Sequence, residues 1–213
     1  MRRTLARRWL GWPMRRLMCI RRVVFFVQDF GPDPVPGEAS PAVATVPVRF
    51  KLAIPEDVDR YAADLLAVGV EPAEARRRLT VGDIGYFGVV GDRLVHQSWE
   101  TSQQPQVDEI GMRLILAPGE TSSYGTVTTP GWRGHRIQPA SFAFRIQSRR
   151  ARGVRRTYSW VSGDNAANLR VHAGRGSRRL AVVWTLRVLG MRHPRVLWVN
   201  PPGALPLAPA NTD

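Results

Sequence analysis

The chain has 213 residues, 44% hydrophobic and 23% charged, enough to bury one core of about 150 residues with appendages. Its net charge of +14 is carried almost wholly by arginine, because Lys51 is the only lysine, and such a surface attracts phosphates, acidic lipids or nucleic acid. Cys19 is the single cysteine, which excludes an internal disulfide and a cysteine-cluster metal site and favours a reducing, cytoplasmic compartment, while no run of about 18 apolar residues is available to cross a bilayer as a helix.

The opening "MRRTLARRWLGWPMRRLMCIRR" holds eight arginines and no acid. Trp9, Leu10, Trp12, Leu17 and Met18 alternate with arginine pairs, a pattern that suits a peripheral contact of residues 1–22 with an anionic membrane or another polyanion. The same pattern also suits a basic tail that packs on its own domain. "VVFFV" at 23–27 has the length of a strand. Between 31 and 47 the segment "GPDPVPGEASPAVATVP" carries five prolines and reads as a linker or extended arm. The expected organisation is therefore a basic segment and linker over 1–44, a compact domain over 45–199 and a loose proline-rich tail over 200–213.

Within the domain, "VPVRFKLA" alternates like a strand. "IPEDVDRYAADLLAVG" reads as a helix, with Pro55 in its first turn, acids 56, 57 and 59 at its N-terminal end and Gly69 as its stop. "EPAEARRRL" reads as a second helix. "IGYFGVV" and "RLVHQSWE" flank Gly91-Asp92, a two-residue hairpin signal. "MRLILA" and "SSYGTVTT" are further strands, followed by the helix "PASFAFRIQSRRARG", the strand "RRTYSWVS", the helix "DNAANLRVHAG", and the strands "RLAVVWTLRVLG" and "RVLWV". This order predicts an α/β fold with a mixed sheet and helices on its faces.

The stretch "TTPGWRGHRIQP" (128–139) carries the most chemistry. Pro130 ends the preceding strand because it cannot donate to a ladder, and Pro139 suits the first turn of the next helix. The free amides of the intervening turn, together with the positive end of that helix, make an anion site. Arg133 and Arg136 add cations with two-point phosphate geometry. The four histidines, at 96, 135, 172 and 193, have no metal-ligand spacing, so no metal site is expected. No Walker, Rossmann or Gly-x-Ser-x-Gly pattern occurs.

This stretch resembles the acetyl-CoA pyrophosphate loop of the GNAT N-acetyltransferase superfamily, in which a strand ending in proline leads into Pro-x-aromatic-Arg-Gly-x-Gly-Ile. Thirty residues on, "YSWVSGDNAANLRVHAGRG" is similar to the family's next strand-helix unit, and the resemblance covers roughly 45–190. It implies a GNAT-like, mostly antiparallel central sheet with helices on both faces. It also implies acetyl-CoA as cosubstrate and transfer of the acetyl group to a primary amine by direct attack on the thioester.

By the same resemblance, the backbone of Val127, Thr128 and Thr129 would hold the pantetheine arm. The amides of Arg133, Gly134, His135, Arg136, Ile137 and Gln138 would face the pyrophosphate. Asn165 and Asn168 would sit by the thioester, and the strand at 156–161 would splay from that at 124–129 to leave an acyl cleft.

The chain departs from the family pattern where Arg136 and Gln138 replace glycines. The Cβ of Arg136 either blocks the phosphates, giving a degenerate CoA-binding or scaffold protein, or its guanidinium grips them. His172 stands where many members have a tyrosine that protonates the leaving thiolate, and imidazole titrates in the right range for that role. Glu120, Tyr124 and His96 are the candidates for a base. The acceptor pocket is expected from 54–80 and 180–199, with a mild preference for an anionic amine. A homodimer and a nucleic-acid-binding role for the basic segment are both compatible with the sequence.

Overall fold

The computed structural model describes residues 18–31, 42–173, 176–189 and 194–209. Its strands in chain order are β1 (Met18–Asp29), β2 (Arg49–Leu52), β3 (Ile84–Val90), β4 (Arg93–Thr101), β5 (Gln106–Val107), β6 (Met112–Leu114), β7 (Glu120–Thr128), β8 (Arg156–Ser162), β9 (Arg178–Val188), β10 (Arg195–Asn200) and β11 (Leu207–Pro209). The helices are α1 (Pro55–Arg60), α2 (Ala62–Ala67), α3 (Pro72–Thr80), α4 (Ile137–Ala151) and α5 (Ala166–Ala173). The main sheet has the order β10-β9-β1-β8-β7-β4-β3-β2, and β11-β6-β5 form a small second sheet. Every neighbour in the main sheet is antiparallel except β7 and β8. The expected mixed, mostly antiparallel sheet with flanking helices is what the chain forms.

The N-terminal segment is where the expected organisation needs correction. β1 lies inside the sheet, paired with β8 on one side and β9 on the other, so the domain does not begin near residue 45. The reason lies in "VVFFV". Val23, Phe25 and Val27 pack into one apolar cluster while Val24 and Phe26 pack into another. Successive side chains of a strand point to opposite faces, so a continuous apolar run is what a strand covered on both faces requires. Residues 18–22 belong to this strand, and the rest of the basic opening, 1–17, lies outside the described residues.

The C-terminal segment is corrected in the same way. Leu207–Pro209 pairs with β6, and Ile115 N donates to Pro206 O at 2.8 Å, so residues up to 209 are part of the fold. "MRLILA" supplies only the short β6, which lies in the small sheet. The long helix expected over 54–69 is split at Tyr61, whose φ of −109° and ψ of 23° leave the helical range. Tyr61 is instead buried with Val58, Leu65, Phe87 and Trp99.

Alternation along β4 divides the structure into two faces. Trp99 packs under α1–α3, whereas Ser98 and Glu100 point the other way and meet Arg145 and Arg149 of α4. The small sheet covers the first face further along, where Val107, Ile110 and Leu114 pack on Phe25, Tyr158 and Val183.

Candidate functional site

The site begins as a fault in the sheet. β7 and β8 are parallel neighbours over only three pairs, Glu120↔Arg156, Thr121↔Thr157 and Ser122↔Tyr158, and then separate. On its other edge β7 stays bound to β4, but the register slips: Gln97 faces Val127 and Trp99 faces Tyr124. Gly125 and Thr126 together therefore oppose Ser98. This is a bulge, with Gly125 at φ +57°, the left-handed geometry that glycine adopts without a Cβ clash. A bulge bends its strand, and here it coincides with the opening. A cavity of about 460 Å³ runs through the gap, lined on the helix face by Phe142, Arg145 and His172 and on the opposite face by Asp108, Glu109 and Tyr124.

After β7 the chain makes a short turn over Pro130–Trp132 and enters α4. Ala140 N, donating to Arg136 O at 3.1 Å, is the first amide in the helical ladder. The amides of Gly134, His135, Arg136, Ile137 and Gln138 precede it and have no acceptor on the described chain. No side chain caps this end, so its orphan donors and positive dipole face outward. Arg136 adopts φ 56° and ψ 22° and is the only non-glycine residue with positive φ among those described. The backbone takes up the shape that a glycine would supply, and the exposed side chain leaves the turn open. A second cavity, of about 630 Å³, lies over this turn. It shares Thr126, Gln138, Asn165 and Asn168 with the first, so the two adjoin.

The expected cofactor residues divide into two groups. Val127, Thr128, Arg133, Gly134, Arg136, Ile137, Gln138, Asn165 and Asn168 all line this second cavity, whereas Thr129 and His135 do not. Thr129 N donates to Val95 O at 3.0 Å, extending the β4 ladder. His135 turns toward the arm before β2, with Nδ1 3.2 Å from Thr45 Oγ1. Asn165 caps α5, its Oδ1 accepting Asn168 N at 3.1 Å. Asn168 in turn accepts the Gln138 side-chain amide at 3.1 Å, which ties α5 to the start of α4.

The expected catalytic residues are less well placed. Glu120 lies at the closed end of the fault, outside the cavity, and accepts Ala117 N at 3.1 Å and Arg156 Nη1 at 3.3 Å. Tyr124 lines the cavity, but its hydroxyl donates to Asp83 Oδ2. Burial, and then Asp83, push the phenol well above its ordinary range, so it holds its proton at neutral pH. His172 also lines the cavity, stacked on Phe26 with ring centroids 4.6 Å apart. Burial, reinforced by Arg145 and Arg149, lowers its pKa to about 4, so at neutral pH the ring is uncharged and has no acidic proton to give. His96 is fully buried, with Nδ1 2.8 Å from Thr128 Oγ1, and lies outside the cavity.

The sequence matches no protein-family profile and no curated protein. Solved structures do match. A protein from Novosphingobium aromaticivorans assigned to the GNAT-family acetyltransferases superposes with a TM-score of 0.53 at 18% identity over 81% of this chain. GCN5-related N-acetyltransferases from Sphaerobacter thermophilus and Kribbella flavida superpose with TM-scores of 0.53 and 0.51, at 14% and 17% identity over 91% and 88% of this chain. The chain has the GNAT fold. It spans 65%, 57% and 64% of those three structures respectively, and identities this low speak to the fold alone.

Within this GNAT fold the sequence reading missed two sets of residues. The first is Glu109, half-buried in the turn between β5 and β6, whose Oε2 accepts Trp160 Nε1 at 3.2 Å at the cavity wall. It lies in a loop with no periodicity, and only the tertiary fold brings it near β8. The second is a polar layer beneath α4. Arg149 and Glu100, each 1% exposed, form a buried ion pair. Arg152 donates to the other oxygen of Glu100 and, at 2.7 Å, to the Tyr86 hydroxyl. Burial raises the Glu100 carboxyl, but Arg149 and Arg152 outweigh it and hold it below its ordinary value. A signal for this layer was present. Arg145, Arg149 and Arg152 recur at helical spacing on the face that also buries Ile137 and Ser141, where an apolar stripe is the rule.

Proposed function

We propose that this protein transfers an acyl group from a CoA thioester to a primary amine. The observation that carries the reading is the adjacency of two features. A cleft opened by the separation of β7 from β8 adjoins a helix N-terminus whose amides are unpaired and flanked by Arg133 and Arg136. The amides of Gly134 to Gln138 and the two guanidiniums suit a pyrophosphate, and the edge of β7 turned away from β4 near Val127 suits the amide groups of a pantetheine arm, with Thr128 O already accepting Arg133 Nε at 3.2 Å. The thioester supplies an activated carbonyl carbon.

In the reaction, the amine nitrogen forms a bond to that carbon, the C–S bond breaks, the nitrogen gives up one proton and the departing thiolate takes one up. Glu109, held by Trp160 on the cavity wall, is the carboxylate we assign to accept the amine proton. His172, on the wall opposite Glu109 and kept neutral by its surroundings, presents an uncharged ring to the cavity. Acetyl is the simplest acyl group for such a site.

Isothermal titration of the full chain with CoA and acetyl-CoA tests this reading. Micromolar binding is expected, weakened at least about tenfold by Arg133→Glu combined with Arg136→Glu, because each change removes a charge-assisted phosphate contact. Absence of binding at millimolar ligand would overturn the reading. In an acceptor assay, Glu109→Gln is expected to lower kcat more than it raises KM.

A further inference from the structure

The polar layer under α4 does not balance its charge. Arg145, Arg149 and Arg152 lie on one face of the helix, and Glu100 is the carboxylate they share. Arg149 and Arg152 occupy both of its oxygens, which leaves Arg145 without an ion pair among the described residues. Arg145 is only 4% exposed. Its Nη1 donates to Ser98 Oγ at 2.7 Å, its Nε has no partner, and it lines the cleft between β7 and β8. A buried cation without a counter-ion is costly to keep. Burial, followed by Arg149, accordingly lowers its pKa to about 9.

Position narrows what the counter-ion is. Arg145 lies about 12 Å along α4 from Ile137, eight residues at the helical rise, and so is set well inside the cleft from the pyrophosphate end. Ser98, which it grips, also hydrogen-bonds Thr126 of the bulge at 2.8 Å. The opposite mouth of the cavity carries Asp108 and Glu109. The cleft is therefore polarised, with cations on the α4 side and carboxylates on the other. An amine enters favourably past the carboxylates, and an anion is favoured only against α4.

We infer that Arg145 selects an acyl donor whose acyl group ends in a carboxylate, of the succinyl class, rather than acetyl. This rests on the acyl-transfer reading above. The transferred unit is then a monoamide of a dicarboxylic acid. The terminal carboxylate pairs with the Arg145 guanidinium where it lines the cleft and takes no part in bond making or breaking.

The test is isothermal titration of the full chain with CoA, acetyl-CoA and succinyl-CoA, repeated with Arg145→Gln. Succinyl-CoA is expected to bind about tenfold or more tighter than acetyl-CoA, since one charge-assisted bond separates them, and Arg145→Gln is expected to erase that gap. Equal affinity of the two thioesters, with CoA still bound, would overturn the inference and leave the acyl-transfer reading standing. Failure of all three to bind would overturn both. If Arg145→Gln does not fold, the wild-type comparison decides alone. A wild-type protein without thioester preference whose turnover demands a carboxylate-bearing amine would assign the arginine to the acceptor and overturn the inference.

Discussion

The two halves of the sheet, on either side of the separation between β7 and β8, are built in opposite ways. On one side β2, β3, β4 and β7 occur in chain order, interrupted only by α1–α3 between β2 and β3 and by β5 and β6 of the small sheet between β4 and β7. On the other side β8 pairs with β1, more than a hundred residues earlier, and β1 pairs with β9. The first half pairs strands from one contiguous stretch of chain, 49–128. The second must bring its central strand from the opposite end of the chain, and is held by apolar packing on both faces of that strand. The cleft lies where the local half meets the non-local one, so its geometry depends on both.

Breaking the non-local half should have the largest effect. Phe25 is fully buried in the strand common to β8 and β9, and Phe25→Ala is expected to cost about 4 kcal/mol, read by denaturant unfolding. An equally buried site in the local half, such as Leu65, should give a smaller loss of about 3 kcal/mol. If Phe25→Ala were the milder of the two, β1 would not be the anchor of its half.

The layer joining the halves under α4 gives the next effect. Glu100→Gln removes the shared counter-ion of Arg149 and Arg152 and should destabilise by about 3 kcal/mol, because it leaves a buried guanidinium uncompensated. Unfolding midpoints at neutral pH would check this.

The pH dependence is a subtler probe. His96 and His172 have folded pKa values of about 3 and about 4, against an ordinary 6.5. Between those values the unfolded chain binds more protons than the folded one, so stability is full above about pH 6.5 and falls as the pH drops toward 4. A thermal-melt series over that range should show the decline. His96→Asn, which keeps a hydrogen-bonding group beside Thr128 but does not titrate, should flatten it. An unchanged slope would mean that the ring is hydrated and already free to protonate.

The smallest effect is expected at the turn before α4. Arg136 holds a left-handed conformation that costs about 1–2 kcal/mol for a residue with a Cβ, while glycine gives back roughly 0.5–1 kcal/mol in unfolded-chain entropy. Arg136→Gly should therefore stabilise the protein by about 0.5 kcal/mol, a shift readable in the melting midpoint. It should also separate the contribution of the turn's shape to CoA binding from that of the arginine's charge.

The sequence by itself determined the elements that local chemistry specifies. The Gly91-Asp92 hairpin, the prolines that bound the phosphate turn and the two strand-helix units around it follow from backbone preferences that act within a few residues. Most of the residues of the turn before α4 could thus be named in advance, and the order of these elements carried the resemblance to the GNAT fold. Tertiary structure alone decided the rest, because the deciding contacts join distant parts of the chain. "VVFFV" has the length of a strand, but nothing local says that it will sit between β8 and β9. Leu207–Pro209 looks like tail until β6 offers an edge. Tyr124 reads as a candidate base in sequence, and only the fold shows that Asp83, 41 residues away, accepts its hydrogen bond. His172 reads as an acid until Phe26 and two arginines surround it. Arg145 belongs to an ordinary basic helix in sequence, and becomes a buried charge facing a cleft only when α4 is laid across β4 and β7. Burial changes what each of these groups can do, and burial is set by the fold.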